Sequence, residues 1–458
     1  MGKKNGTSKA KRLLREMKCD FIPDYRGVEW ISPSLPDKCE LWLPGKGRTH
    51  SIAKDLSHHR AISVEFQRAV QQSQWKWPSR TICFVSDLHA DTDAFFASLV
   101  ASGGISKTGQ RDRDFELTRS GRKALFLIGG DCFDKGPSNL RLLRAIRKLT
   151  KKGARVRILA GNHDVRMMQG IHSVGLEDDP RTDHFFVRMG PKMVPFLKEI
   201  WDEYLDGKRG LRGVPELHEC RRRLYPRKRW FSDFPRLASW VMPDKTIERE
   251  MKKLREKMDS FEQDCERAGL SLRMVYAAVK QWERLFVDKR GEFSWFFRQM
   301  RLAYRSGSFL FLHAGLDDRI AKVIRDKGVR YLNKEFSRQV LDDPFDFYYG
   351  PLANTLRTKY RDVDMPLTRQ GVSAVNECGV YILVHGHHNR LQGQRIMLRK
   401  GMINFECDTT LDRNSRKKEG LKGIGAAATV FTRQHQVLGI STDYPAVKLF
   451  DPRILMAN

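Results

Sequence analysis

Five short apolar runs, each stopping abruptly in polar residues, constrain this chain more than anything else in it. They are "TICFVSDLH" (81–89), "ALFLIGGD" (124–131), "VRILAGNHD" (156–164), "SFLFLHAG" (308–315) and "VYILVHGHH" (380–388). Runs of four to six β-branched, aromatic or aliphatic residues, bounded by Gly, Asp or Asn, suit strands covered on both faces. Between two of them, residues 139–153 place Leu140, Leu142, Leu143, Ile146 and Leu149 at helical spacing and end at Gly153. Strands alternating with helices predict an α/β fold, its sheet packed between helical layers.

The polar residues that end each run are chemically specific. Residues 125–136, "LFLIGGDCFDKG", carry an apolar stretch straight into Asp131 and Asp134. Carboxylates are costly to desolvate unless a metal ion, a cationic side chain or open solvent meets them. The other runs supply Asp87 and His89, then Asn162 and His163, then His313, then His385, His387 and His388. Functional groups gather at the C-terminal ends of strands in open α/β sheets. Carboxylate and amide oxygens mixed with imidazoles suit manganese, iron or zinc. Taken singly, each has a plain reading: an N-cap, a packed histidine, a turn. Five strand ends with compatible ligands are hard to explain that way together.

The order of these motifs resembles the calcineurin-like metallophosphoesterases, and within them the branch of serine/threonine protein phosphatases and diadenosine tetraphosphatases. That signature runs D-x-H, GDxxDRG, GNH[ED], a lone His before Gly, then a late Gly-His. Here it reads "SDLHAD", "GGDCFDKG", "GNHD", "LHAGL" and "HGHHN", over roughly 80–165 and 306–435. The resemblance implies a calcineurin-like β-sandwich flanked by helices. It implies two divalent metal ions (manganese, iron or zinc). Asp87 and His89 would hold one, Asp131 would bridge both, and Asn162, His313 and His387 would hold the second. His163 would be the general acid, oriented by Asp134. Lys135 and an arginine, Arg361 with Arg357 in reserve, would bind the substrate phosphate. His385 lies two residues before His387, so this H-x-H pair could offer two ligands. The implied activity is hydrolysis of phosphomonoesters or phosphoanhydrides by a metal-bound hydroxide, with phosphorylated molecules as substrates.

Three positions depart from the protein phosphatases of that family. Lys135 replaces an arginine and loses its bidentate fork; Ala90 replaces a glycine; Asp164 replaces a glutamate. The resemblance extends to a protein-phosphatase-like enzyme, and these departures bear on its specificity for protein substrates.

The remainder of the chain is read from composition. The expected organisation is a basic, loop-rich extension (1–78), a core in two parts (79–165 and 305–458), and an α-helical insertion (166–304) between them. The helical expectation rests on residues 244–286, which have few turn signals. A formal charge of +29, from 84 basic against 55 acidic residues, attracts polyanions. Nucleic acid is therefore a possible partner. A metal-dependent nuclease or phosphodiesterase, and a polyanion-binding protein with an idle hydrolase core, stand as alternatives. The densest basic run, "RRRLYPRKRW" (221–230), reads first as a solvated face and second as a binding patch in which Tyr225 and Trp230 stack on bases. Eight cysteines without a C-x-x-C pair argue against a disulfide framework or zinc ribbon. No apolar run approaches membrane length, and Gly6 stands where the myristoylation pattern wants Ser or Thr. The expected location is the cytoplasm.

Overall fold

The structure, a computed structural model, describes residues 21–42, 64–71, 75–176, 179–205, 207–240 and 243–456. The basic arm before residue 21, including Gly6, lies outside them. The first sheet uses β1 (Cys39–Leu41), β2 (Ile82–Val85), β5 (Leu125–Ile128), β6 (Arg155–Leu159), β7 (Met300–Arg301), β13 (Ala427–Phe431), β14 (Val437–Ser441) and β15 (Val447–Phe450). β3 (Ile105–Lys107) and β4 (Phe115–Leu117) form a small hairpin. The second sheet uses β8 (Tyr304–Ser306), β9 (Phe309–Phe311), β10 (Ile382–His385), β11 (Arg395–Arg399) and β12 (Met402–Glu406).

Strand order is β1-β15-β14-β13-β2-β5-β6-β7 in the first sheet and β11-β12-β10-β9-β8 in the second. β2, β5, β6 and β7 are parallel neighbours, as are β9, β10 and β12. Every residue of β2, β5, β9 and β10 is buried, as two-sided coverage requires. β6 differs: Arg155 and Arg157 are exposed, so only its C-terminal half is fully covered.

Side-chain alternation divides each strand between two cores. Phe84, Leu125 and Leu127 meet Phe309, Phe311, Ile382, Val384 and Phe405 between the sheets. Phe311 packs edge-on against Phe431 with ring centroids 5.2 Å apart. The opposite-facing Cys83, Val85, Phe126 and Ile128 pack beneath helices. The result is an α/β protein: a β-sandwich flanked by helices.

Helix Asn139–Lys151 buries the leucine stripe read from its spacing, and the Ser138 hydroxyl accepts the Arg141 N–H as its N-cap. From Asn162 to Gln299 every described element is helical. The segment 244–286 forms two helices, Asp244–Arg267 and Leu272–Phe286, separated where Gly269 adopts φ +72° and Ser271 caps the second. This helical region interrupts the sheet and returns at β7, which pairs directly with β6.

The loop reading of the N-terminal extension needs one correction. Cys39–Leu41 adds a parallel strand to β15, because its backbone finds an open sheet edge that local sequence does not reveal. Among the described residues no helix is long and apolar enough to cross a membrane.

Candidate metal centre

The polar ends of β2, β5, β6, β9 and β10 converge. Asp131 lies at the middle, buried, with its Oδ2 3.4 Å from His313 Nε2, 3.8 Å from His89 Nε2 and 3.9 Å from His163 Nε2. Asn162 Oδ1 is 3.1 Å from His313 Nε2. Asp87 is buried beside them, its Oδ2 accepting from the Ser86 hydroxyl and from the His387 N–H at 3.0 Å. Asp131, His313 and His387 present ligand atoms within 4.8 Å of one another, as do His89, Asp131 and His163.

The backbone is bent sharply to achieve this. Asp87, His89, Ala90, Asp131, Asp134, Lys135 and His387 all have positive φ, between 43° and 72°. Non-glycine residues avoid that region at a cost of about 1–3 kcal/mol each, and such outliers cluster where geometry serves a site. Stitching between loops holds them: His89 N–H donates to Asp131 O and Ala90 N–H to Cys132 O, both at 2.8 Å. Asp164 is the strongest clamp. Its carboxylate accepts from the backbone N–H groups of Asp131, Cys132, Phe133 and Gly161 at 2.7–3.2 Å. Gly161 cannot carry a side chain, since a Cβ there would lie 2.1 Å from Asp131 N.

Two of the imidazoles have one nitrogen committed to backbone. His89 Nδ1 faces Phe133 O at 3.2 Å, and His313 Nδ1 faces Gly129 O at 2.8 Å. These bonds orient the rings and leave Nε2 of each turned toward Asp131. His163 Nδ1 is 2.8 Å from Asp134 Oδ2. His387 Nε2 is buried without a hydrogen-bond partner. An orphaned ring nitrogen, acceptor-only carboxylates and oriented Nε2 atoms together fit divalent cations.

The electrostatics follow from that crowding. Burial pushes the Asp87 carboxyl up to about 6, with Asp131 adding to the rise. Burial also disfavours the charged Asp131, but His313 and His163 outweigh it and hold this carboxyl well below its usual range. Burial disfavours protonated His313 as well, yet Asp131 overrides it and raises this imidazole to about 10.

Not every candidate converges. Lys135 does, with Nζ 2.7 Å from His89 Nε2. Arg361 does not: its exposed guanidinium is held by Asp364 at 3.0 Å, a neighbour three residues away. Arg357 lies against Tyr348, donating to its carbonyl at 2.8 Å. His385 also turns away. Its ring stands 4.8 Å from that of His388, in a second buried group with Glu406. The H-x-H spacing misleads because His387 has φ 62°, so the chain is not extended there and the two side chains diverge.

Two roles escaped sequence reasoning, those of Asp164 and Asp408. Asp164 acts through backbone N–H groups some thirty positions earlier, which no local pattern reports. Asp408 is buried and raised to about 7, chiefly by burial and then by Asp87, which places it beside the cluster. It ends the apolar run "MINFECD", the same signal that marks the other five strand ends.

Much of the basic run is core and ion pairs. Arg222 and Arg223 engage Glu219, and Arg221 engages Glu262. Trp230 is fully buried, donates to His184 Nδ1 at 3.2 Å and stacks on Phe234, so it offers no face to a base.

Residues 80–254 match the family model for calcineurin-like phosphoesterases. Over those residues the chain is similar to the calcineurin-like phosphoesterases. No curated protein matches it significantly. Among solved structures, a cold-active protein-tyrosine phosphatase of the psychrophile Shewanella sp. is 12% identical, covering 81% of this chain and 80% of that chain, with a TM-score of 0.38. A protein serine/threonine phosphatase from Saccharomyces cerevisiae is 10% identical, covering 85% of this chain and 88% of that chain, with a TM-score of 0.33. Likenesses this slight carry no argument about activity.

Proposed function

We propose that this calcineurin-like phosphoesterase hydrolyses phosphomonoesters or phosphoanhydrides at a centre of two divalent cations. Asp87 and His89 would hold one, Asn162, His313 and His387 the other, and Asp131 both. Bound there, such ions supply charge neutralisation for a phosphoryl oxygen and lower the pKa of water toward neutrality. The proposal includes the division of the chain into a core of two parts, 79–165 and 305–458, around an inserted 166–304.

The chain's own groups account for the remainder of the chemistry. His163 has Nδ1 on Asp134 and Nε2 on the Asp131 side; burial lowers its pKa against the pull of Asp131 and Asp134, so an imidazolium formed there would readily give its second proton toward the reacting group. That proton meets the departing oxygen. Lys135 is the cation nearest the cluster, with Nζ 2.7 Å from His89 Nε2; with that nitrogen given to a metal, the lysine would be free to meet a phosphoryl oxygen. Asp164 and Ser86 keep Asp131 and Asp87 in place.

The observation that carries this reading is the position of Asp131, a buried carboxylate with three imidazole Nε2 atoms within 3.9 Å and no arginine or lysine paired to it among the described residues. The test is release of nitrophenol from 4-nitrophenyl phosphate by the purified chain. Release should require manganese, iron or zinc and stop on chelation. No release with any of the three contradicts the proposal.

A further inference from the structure

The densest basic run of the sequence has a use that its ion pairs do not exhaust. Four of its residues, Arg222, Arg223, Tyr225 and Arg227, line a cavity of about 540 Å³ in the helical region. The rest of the wall comes from residues 173–176 and from Asp183, Phe186, Tyr276 and Lys280. Small-molecule sites span about 300–1,000 Å³, so the space holds a ligand and not merely a water. It is distinct from the Asp131 cluster. The Asn162–Ser173 helix carries Asn162 and His163 at its start and reaches the cavity with Ser173, about 16 Å further along at 1.5 Å per residue.

The cavity has a cationic rim and a polar interior. Arg222 and Arg223 keep 55% and 44% of their side chains in water and share one carboxylate, that of Glu219. Arg222 meets it through Nε and Nη2, whereas Arg223 gives it Nε and donates from Nη1 to the Tyr276 hydroxyl at 2.9 Å. Among the described residues, Nη1 of Arg222 and Nη2 of Arg223 have no partner. Two guanidinium groups on one carboxylate leave a positive charge and free donors at the rim. Lys280 adds none, because it pairs with Glu283 beside Gly175. Inside, the Tyr225 hydroxyl and Asp183 Oδ2 are buried without a hydrogen-bond partner. Burial, then Asp179, raises the Asp183 carboxyl to about 6. Buried polar atoms left unmatched cost stability, which a ligand offering the missing partners restores. Hydroxyl groups serve both, since they donate to a carboxylate and accept from a phenol, whereas an ammonium can only donate.

We propose that this cavity binds a small polyhydroxylated anion, its acid group held by Arg222 and Arg223 at the rim and its hydroxyls matched to Asp183 and Tyr225. The inference is independent of hydrolysis at Asp131 and goes beyond it. A phosphate and a carboxylate share the planar, charge-assisted pairing that guanidinium groups offer, and the test separates them.

Binding to the full chain is measured by calorimetry in the presence of a chelator, which keeps metal from the Asp131 cluster. The probes are glucose 6-phosphate, gluconate, glucose and inorganic phosphate. Glucose 6-phosphate or gluconate should bind at one site per chain. Glucose and inorganic phosphate should bind at least about tenfold more weakly, since each lacks one half of the recognised group. The tighter of the two acids identifies phosphate or carboxylate as the anion. Arg222→Gln should weaken that acid at least about tenfold and Tyr225→Phe about fivefold. Release of nitrophenol with manganese should stay within about twofold in both. Arg222 is half exposed and the Tyr225 hydroxyl has no partner, so neither change disturbs the fold. Three results would each overturn the proposal: neither acid binds the wild type, glucose or inorganic phosphate binds as tightly as the better acid, or either variant binds unchanged. If the wild type releases no nitrophenol, the hydrolase reading falls, and the binding results still decide the cavity.

Discussion

Two buried groups of histidines around a carboxylate lie at neighbouring strand ends, and they differ in one respect. Glu406 sits with His385 and His388, but Arg390, Arg395 and Arg399 all reach its oxygens, at 2.6, 2.8 and 2.5 Å. Asp131 sits with His89, His163 and His313, and among the described residues no arginine reaches it. The first group is electrostatically complete with the chain's own cations. The second has only imidazoles, which can pair with Asp131 as cations or turn their Nε2 atoms to a metal ion. Histidine and carboxylate alone therefore do not distinguish the two groups; the guanidinium groups on Glu406 do.

The largest expected break in this contrast is Asp131→Asn. Phosphatase activity should drop to the uncatalysed background, with an unchanged fold by circular dichroism. Next comes Asp134→Asn. Here kcat should fall roughly 10²-fold for an alkyl phosphate, at the low end of general acid catalysis, and much less for 4-nitrophenyl phosphate, whose leaving group needs little protonation. A merely structural role for Asp134 would lower both equally.

Glu406→Gln should do the reverse, costing stability and sparing metal binding. Three arginines lose their partner, though each keeps about a fifth of its side chain in water. A cost of ~2–4 kcal/mol is therefore expected, below the ~3–5 kcal/mol of a fully buried pair. Burial is outweighed by His388, then by His385, Arg395 and Arg390, which hold the Glu406 carboxyl far below its usual range. A folded pKa below the unfolded one contributes stability above the unfolded value, about 4.3, and loses it as pH falls. The thermal midpoint of the wild type should exceed that of Glu406→Gln at pH 7, with the gap closing progressively below about pH 4. The smallest effect belongs to His385→Gln, which should leave activity within about twofold, since the ring faces Glu406 and not Asp131.

Much of this is legible in the amino-acid sequence. Short apolar runs ending in Asp, Asn and His identify strands and their functional ends, because burial on both faces and ligand chemistry each leave a local mark. The leucine spacing of 139–153 does the same for its helix. What is not legible depends on where backbone or charge meets a distant partner. Arg361 reads as available, but Asp364 satisfies it locally. His385 and His387 read as equivalent, yet a left-handed residue turns one away. Asp164 clamps a loop thirty residues earlier.

Metal content per chain asks most plainly whether Asp131 joins two cations. Purified wild type, Asp131→Asn and His385→Gln would be equilibrated with manganese, freed of excess ion and measured by atomic emission. Two ions per chain are expected in the wild type and in His385→Gln, and loss of both in Asp131→Asn. Full occupancy in Asp131→Asn, or loss of metal in His385→Gln, would contradict that role.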